Sequence, residues 1–147
     1  MGLTPNEGLV MRTRSGDVDP TLVEYVARVS RRSVDAVLAD LSERSGLAGV
    51  AGGDGDMRDL LAREARGDER AALAVSIFAY RARKYLGAYL AVLGGADAVV
   101  FGGGVGENAA SVRDRITAGL GLRVLVVRVD EESVIAGDVE RLLSDRQ

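Results

Sequence analysis

The chain has 147 residues, of which 47% are hydrophobic and 28% charged, a composition typical of one globular domain. A formal net charge of −3 provides no basic field for nucleic acid or an anionic membrane surface, so we expect neither as a partner. No stretch approaches the roughly 18 apolar residues of a membrane span, so we expect a cytoplasmic setting. Cysteine and histidine are absent, which excludes disulfides, thiol nucleophiles, thiolate or imidazole metal sites and a Ser/His/Asp triad.

The N-terminal third of the chain predicts a loop followed by a helical hairpin. Residues 2–19 contain three glycines, one proline and no sustained hydrophobic period, which indicates an ordered loop. Proline at a first helical position and an apolar stripe predict a helix over residues 20–30. Ser33 is a suitable cap for a second helix, which we expect Gly46 to end.

The middle of the chain predicts a turn and two helices of unequal length. The glycine-rich residues 47–55 favour a turn or a close approach of backbone to a ligand. A short amphipathic helix is expected over about residues 56–66. The next helix, from about residue 69 to 93, would be about 37 Å long. Apolar residues cover much of its circumference, as is typical of a central helix contacted from several sides.

Two apolar, β-branched runs in the last third predict parallel strands. Residues 97–101 and 123–129 are each followed by a helical pattern, at about 108–120 and 131–144. Nearly continuous apolarity is typical of parallel strands covered on both faces. Two strands alone make a poor sheet with open edges, so we expect further strands elsewhere or a partner that covers the edges.

The strongest local pattern is the glycine-rich turn, which we define as residues 102–108 and which has the sequence GGGVGEN. A glycine turn between a buried strand and a helix brings free backbone N–H groups close to a phosphate. The pattern is neither a Walker A loop nor a dinucleotide fingerprint. A purely structural reading, in which the glycines only allow a tight turn, stays open at this point.

Five blocks, taken in order, resemble the acetate kinase family of the sugar kinase, Hsp70 and actin superfamily. The blocks are GLTPNEGLVMRTRSGDVDP at 2–20, SERSGLAGVAG at 42–52, DMRDL at 56–60, IFAYRARKYLGAYLAVLGGADAVVFGGGVGENAASVRDRI at 77–116 and VDEESVIAGD at 129–138. The resemblance implies an α/β fold, specifically an incomplete ribonuclease H-like (actin-like ATPase) domain that is mostly helical with a short parallel β pair. Residues 1–147 would then be part of the C-terminal domain of such an enzyme, with its N-terminal domain absent.

The resemblance also implies an activity and its participants. The expected reaction is transfer of the terminal phosphoryl group of ATP to acetate, giving acetyl phosphate and ADP, with Mg²⁺ present. Propionate kinases share these blocks, so the acyl substrate stays open. The family pairs mainly through this half, so a homodimer or a complementing N-terminal half is the expected partner.

The resemblance assigns roles to specific residues. Arg14 would face the transferring phosphoryl group, where a planar guanidinium stabilises the charge of the transition state. Glu131 would help to position Mg²⁺, for which a carboxylate oxygen is a suitable ligand. The nucleotide would be bound by Asp56, Met57, Arg58, Gly104, Val105, Gly106 and Asn108.

Each of these residues also has an ordinary structural reading. An arginine in a polar loop is usually a surface residue. Asp56 and Arg58 form an i, i+2 charge pair at a helix start. Asn108 is a common residue at a helix start, and Glu131 would be favoured there by the helix dipole.

The chain departs from the family in ways that limit the expected activity. The blocks of the first domain and the first strands of the second are not in this sequence, and the connection from residues 116–120 to the last strand is short. Arg12 and Arg128 stand where glycine and proline are usual. We therefore expect little kinase activity from this chain alone, which leaves two hypotheses: a part that needs a complementing half, or a non-catalytic remnant that binds nucleotide or dimerises. The kinase hypothesis predicts that Arg14 and the glycine-rich turn share one cavity.

Overall fold

A computed structural model describes residues 2–144, apart from the side chain of Glu131. Over these residues the chain forms eight helices and two strands. In order they are α1 (Thr21–Ser30), α2 (Val34–Glu43), α3 (Gly46–Ala51), α4 (Met57–Ala65), α5 (Glu69–Leu93), β1 (Ala98–Phe101), α6 (Gly103–Asn108), α7 (Ala110–Thr117), β2 (Arg123–Val126) and α8 (Glu131–Ser144). The predicted fold class, mostly helical with a short parallel β pair, is confirmed.

The first two helices form the predicted hairpin. Arg31 adopts a left-handed conformation that ends α1. The Ser33 hydroxyl then accepts a hydrogen bond from the Ala36 N–H and caps α2. The preceding loop is held against the hairpin by a backbone bond of 2.9 Å from the Ser15 N–H to the Leu41 carbonyl.

The expectation that Gly46 ends α2 and that residues 47–55 form a turn is wrong in part. Gly46 begins α3, a six-residue helix inside that segment. The N–H groups of Leu47 and Ala48 donate to the carbonyls of Met11 and Arg12, so contacts distant in sequence fix the start of α3. Local glycine content favours a turn, but these hydrogen bonds outweigh it. The turn is confined to residues 52–55.

The core is built around the N-terminal two thirds of α5, which packs on α3, α4 and α7 and confirms its central position. The fully buried side chains with the largest volumes are Leu60, Val75 and Val112, one from each of α4, α5 and α7. Burial of each such side chain contributes about 1.5 to 3 kcal/mol. The last turn of α5 is exposed, so its role as a core helix ends before Leu93.

β1 and β2 are parallel, with Ala98 opposite Arg123 and Phe101 opposite Val126. They are the only strands of the described residues, and the further strands expected from the sequence are not among them. The expected burial on both faces is also wrong, since Val100 is 58% exposed and Val126 is 46% exposed. Apolar sequence predicts burial only when another layer covers the sheet. Among the described helices, none combines the length and the hydrophobicity that a membrane span needs.

Candidate functional site

A cavity of about 470 Å³ lies between the start of α4 and the short helix α6. Its lining residues are Asp56, Met57, Arg58, Leu61, Gly104, Val105, Asn108 and Ala109. Six of these eight were expected at the nucleotide on grounds of resemblance. Two segments about 45 residues apart in sequence are therefore brought together by the packing of α4 and α7 against α5. We call this space the α4–α6 cavity.

Asp56 has a structural task at this cavity. It is the N-cap of α4, and its Oδ1 accepts a hydrogen bond of 2.9 Å from the Arg58 N–H. Bonds from the Arg58 side chain and backbone hold the pKa of Asp56 below its ordinary value of 3.8. The carboxylate is therefore an anion at neutral pH and an acceptor suited to hydroxyl groups.

The two neighbours of Asp56 differ sharply in exposure. Met57 is 7% exposed and belongs to the hydrophobic core, so it forms an apolar floor of the cavity. The Arg58 side chain is 89% exposed, and its Nε lies 3.3 Å from the Asp56 Oδ1. The charge-pair reading of Asp56 and Arg58 thus describes their geometry, and at this exposure the pair contributes little to stability.

The glycine-rich turn is not an open loop but contains a helix of its own. The helix predicted over residues 108–120 corresponds to α7, and the unpredicted helix α6 precedes it within the turn, with Ala109 between the two. A Cβ added at Gly104 would meet no atom within 4 Å, so the backbone there borders open space. The Asn108 side-chain amide donates to the Gly104 carbonyl at 2.9 Å. The turn is therefore ordered internally while one side stays accessible.

A second cavity, of about 540 Å³, adjoins the first and shares Asp56, Met57, Gly104 and Val105 with it. Gly106, the remaining residue of the predicted nucleotide set, lines this second space. Most of its other lining side chains are apolar, from α3, α5, α7 and the β1 end. The site region is therefore continuous with an apolar space above the core.

Arg12 also lines the second cavity. The sequence marks this residue only as an arginine at a position where the family usually has glycine. Its Nε donates to the Asp54 carbonyl and its Nη2 to the Asp54 Oδ2, each at 2.8 Å. Asp54 in turn accepts a hydrogen bond of 2.7 Å from the Asp56 N–H. Arg12 thus supports the loop before α4, a contact between residues 42 positions apart that nothing local in the sequence indicates.

Arg14 is half-buried, and its carbonyl accepts a hydrogen bond from the Met11 N–H. It is not among the residues that line the α4–α6 cavity or the second cavity. The predicted cavity shared by Arg14 and the glycine-rich turn is not one of these two spaces, and the role of Arg14 stays a prediction. The backbone of residues 11–15 is bound to α2 and α3, whereas the glycine-rich turn follows β1.

The third cavity at Gly104 has an acidic lining and a volume of about 350 Å³, with Glu107, Asp130 and Glu132 along it. The side chain of Glu131 is not among the described parts of the chain, so its predicted role in positioning Mg²⁺ stays a prediction. The described side chains include no group of three or more placed to hold a metal ion. Mg²⁺ is commonly bound by one or two carboxylates with phosphates and water, so the lack of a larger cluster does not decide whether it binds.

Comparisons with known proteins agree with the resemblance seen in the sequence. The model of the Acetokinase family matches residues 1–145. The acetate kinase of Streptomyces avermitilis is 51% identical over 144 residues, which is 98% of this chain and 35% of that protein. Among solved structures, Porphyromonas gingivalis acetate kinase has a TM-score of 0.88 at 35% identity, covering 97% of this chain and 43% of the other.

A propionate kinase from Francisella tularensis has a similar structure. Its TM-score is 0.84 at 37% identity, over 90% of this chain and 40% of that one. The chain therefore spans well under half the length of these relatives.

Proposed function

Since this chain belongs to the acetokinase family, we propose that it is the nucleotide-binding part of a kinase that phosphorylates acetate or another short-chain carboxylate. In this proposal the α4–α6 cavity takes the nucleoside of ATP or ADP. Phosphoryl transfer then requires a complementing N-terminal half. The proposed partner is that half, a second copy of this chain, or both.

The observation that supports this proposal most directly is the lining of the α4–α6 cavity. Asp56 presents an anionic carboxylate for ribose hydroxyls, and Arg58 presents an exposed guanidinium that can stack on a base. Met57 offers an apolar floor, and the Gly104 backbone borders open space on the opposite wall. One acidic group, one planar cation and an apolar surface form a suitable combination for a nucleoside.

We assign Arg14 a role in the transfer step alone. It lies outside the α4–α6 cavity, so it has no part in binding the nucleoside in this proposal. A guanidinium that meets the phosphoryl group only when the two halves come together would act like an arginine finger, which is worth about 10³ to 10⁵ in rate. Mg²⁺, held in part by Glu131, would neutralise charge on the phosphates.

The first test is titration of the 147-residue chain with ADP and ATP by calorimetry. We expect saturable binding of both nucleotides, and adenosine should compete because the nucleoside is held in the cavity. Arg14→Ala should leave this binding unchanged. Absence of binding at millimolar ADP contradicts the proposal.

The second test is the hydroxamate assay for acyl phosphate, with acetate, propionate and butyrate as acceptors. This chain alone should be inactive, and addition of the N-terminal part of an acetate kinase relative should restore product formation. Arg14→Ala should abolish the restored activity. Mass photometry on each chain and on the mixture measures the proposed assembly, and an inactive stable complex contradicts the catalytic part of the proposal.

A further inference from the structure

We propose that Glu107 is a positioning residue that fixes the glycine-rich turn against the end of β2, and that nucleotide affinity depends on it without contact between Glu107 and the nucleotide. This inference rests on the proposed function, because it concerns the same nucleotide site. Neither composition nor local pattern indicates it. We refer to the contact as the Glu107 bridge.

The Glu107 bridge is made by a single oxygen. The Glu107 Oε1 accepts hydrogen bonds from the Gly103 N–H at 3.1 Å and from the Val129 N–H at 2.8 Å. Gly103 follows β1, and Val129 lies in the segment between β2 and α8. One half-buried carboxylate therefore joins the chain segments that leave the two parallel strands.

The turn has particular need of such support. α6 has only six residues, three of them glycine, and a helix of this length and composition is unstable by itself. At its other end the Arg113 Nη1 donates to the carbonyls of Gly106 and Glu107, at 2.8 and 3.0 Å. The Glu107 bridge holds the first N–H of α6, and Arg113 holds its last carbonyls.

The consequence for the site follows from the order of residues in the turn. Gly104, Val105 and Asn108 line the α4–α6 cavity, and all three lie between or next to the two points of support. Loss of the Glu107 bridge frees the N-terminal end of α6 and removes the fixed wall opposite Asp56. A ligand must then order the turn on binding, which lowers its affinity.

The test uses three variants of the full chain. Glu107→Ala removes the bridge. Glu107→Gln keeps an Oε1 that can accept both hydrogen bonds, so it should rescue. Glu132→Gln removes one negative charge from the same acidic cavity and serves as the matched control. Amide hydrogen exchange is measured at Gly103 and Val129, and the Kd for ADP by calorimetry at a temperature where circular dichroism shows each variant folded.

We expect faster exchange at both amides and about a tenfold rise in the Kd for ADP in Glu107→Ala. Glu107→Gln and Glu132→Gln should stay within about twofold of the wild type in Kd. Unchanged exchange at Gly103 and Val129 in Glu107→Ala overturns the bridge. Faster exchange with an unchanged Kd overturns its positioning role, because a merely structural contact would behave in that way.

Two outcomes separate this inference from the proposed function. Should wild-type chain bind no ADP, the proposed function fails, and so does the effect of Glu107 on affinity, whatever the exchange rates. If Glu107→Ala does not fold, the Glu107→Gln variant tests the bridge instead. Hydrogen exchange at the Gly103 or Val129 amide as fast as in an unstructured peptide then contradicts the bridge. Protection with near-normal affinity in that variant supports it.

Discussion

Gly102 and Val129 meet where the two strands end: a Cβ added to Gly102 would lie 2.5 Å from the Val129 Cγ2 and 3.4 Å from the Val127 carbonyl oxygen. A side chain at this position would fit only if Val129 moved. Glycine therefore allows a close approach of two chain segments here, independently of any phosphate. The structural reading of Gly102 is compatible with the proposed ligand role of Gly104, because the two residues face different surroundings.

Gly102→Ala should destabilise the chain by about 1 kcal/mol, because the β-branched Val129 side chain must leave its preferred rotamer to admit the added Cβ. Gly104→Ala is the matched control, since its added Cβ meets nothing within 4 Å. Alanine there should stabilise α6 by up to about 1 kcal/mol. Urea unfolding of both variants gives the comparison. Equal stability of the two variants would contradict the tight contact at residue 102.

Gly46→Ala should be more damaging. A Cβ at this position would lie 2.3 Å from the Met11 carbonyl oxygen and within 3 Å of the Arg14 backbone, and its φ of +60° disfavours other residues. We expect a loss of about 3 kcal/mol or more in the free energy of unfolding. Gly67→Ala has a positive φ but open space, so it should cost only about 1 to 2 kcal/mol. If both variants lose a similar amount of unfolding free energy, the positive φ explains the loss and the close contacts at Gly46 do not.

Substitutions at Asp56 and Arg58 separate capping from nucleotide binding. Asparagine caps helices as well as aspartate, so Asp56→Asn should change the free energy of unfolding by less than about 0.5 kcal/mol and raise the Kd for ADP about tenfold. Arg58→Ala should also raise the Kd for ADP about tenfold. Its effect on the free energy of unfolding should be small, because the side chain is 89% exposed. Asp59→Asn, on the same helix but outside the cavity lining, is the control for ADP affinity only, because its carboxylate pairs with Arg63. Unchanged ADP affinity in both variants would remove the nucleoside role of this pair.

Asp17 links the N-terminal loop to α5 and makes stability depend on pH. Its Oδ2 accepts hydrogen bonds from the Tyr85 hydroxyl and, at 2.8 Å, from Arg81. These bonds, with Tyr85 as the largest cause and the Gly8 N–H next, hold the pKa of Asp17 below its ordinary value of 3.8. A depressed pKa contributes stability above pH 3.8, and this contribution is lost as the pH falls towards the folded value.

Asp17→Asn should therefore lower the free energy of unfolding by about 1 kcal/mol at pH 7, a modest amount because the side chain is 38% exposed. The difference from wild type should shrink as the pH falls below 3.8. Thermal unfolding between pH 7 and pH 2.5 measures it. Asp114→Asn, at an exposed site on α7, is the control for loss of one carboxylate. A constant deficit for Asp17→Asn at all pH values would contradict the linkage.

The elements with strong local patterns were predicted from the sequence nearly to the residue. α5 was expected from about residue 69 to 93 and spans Glu69–Leu93, because Asp68 caps it and Gly94 ends it in a left-handed conformation. The segments that differed, α3 and α6, are short and glycine-rich. Their helical form depends on distant hydrogen bonds, which periodicity cannot report.

Part of the site was also accessible from the sequence. The motif DMRDL and the glycine-rich turn carry the family resemblance, and residues of both line the α4–α6 cavity. The contacts that hold these two segments in place could not be predicted from the sequence. Arg12 bonds Asp54 across 42 residues, and Glu107 reaches Val129 across 22.

The sequence by itself determined the family, the helical and strand periods and the residue types available for nucleotide binding, because these depend on local pattern and on resemblance. Tertiary structure alone decided which of those residues meet. It brought Asp56 and Gly104 to one cavity through helix packing on α5, and backbone hydrogen bonds tied the loop that carries Arg14 to α2 and α3. Such contacts arise from the packing of segments that are distant in the chain, so the local sequence around each residue does not predict them.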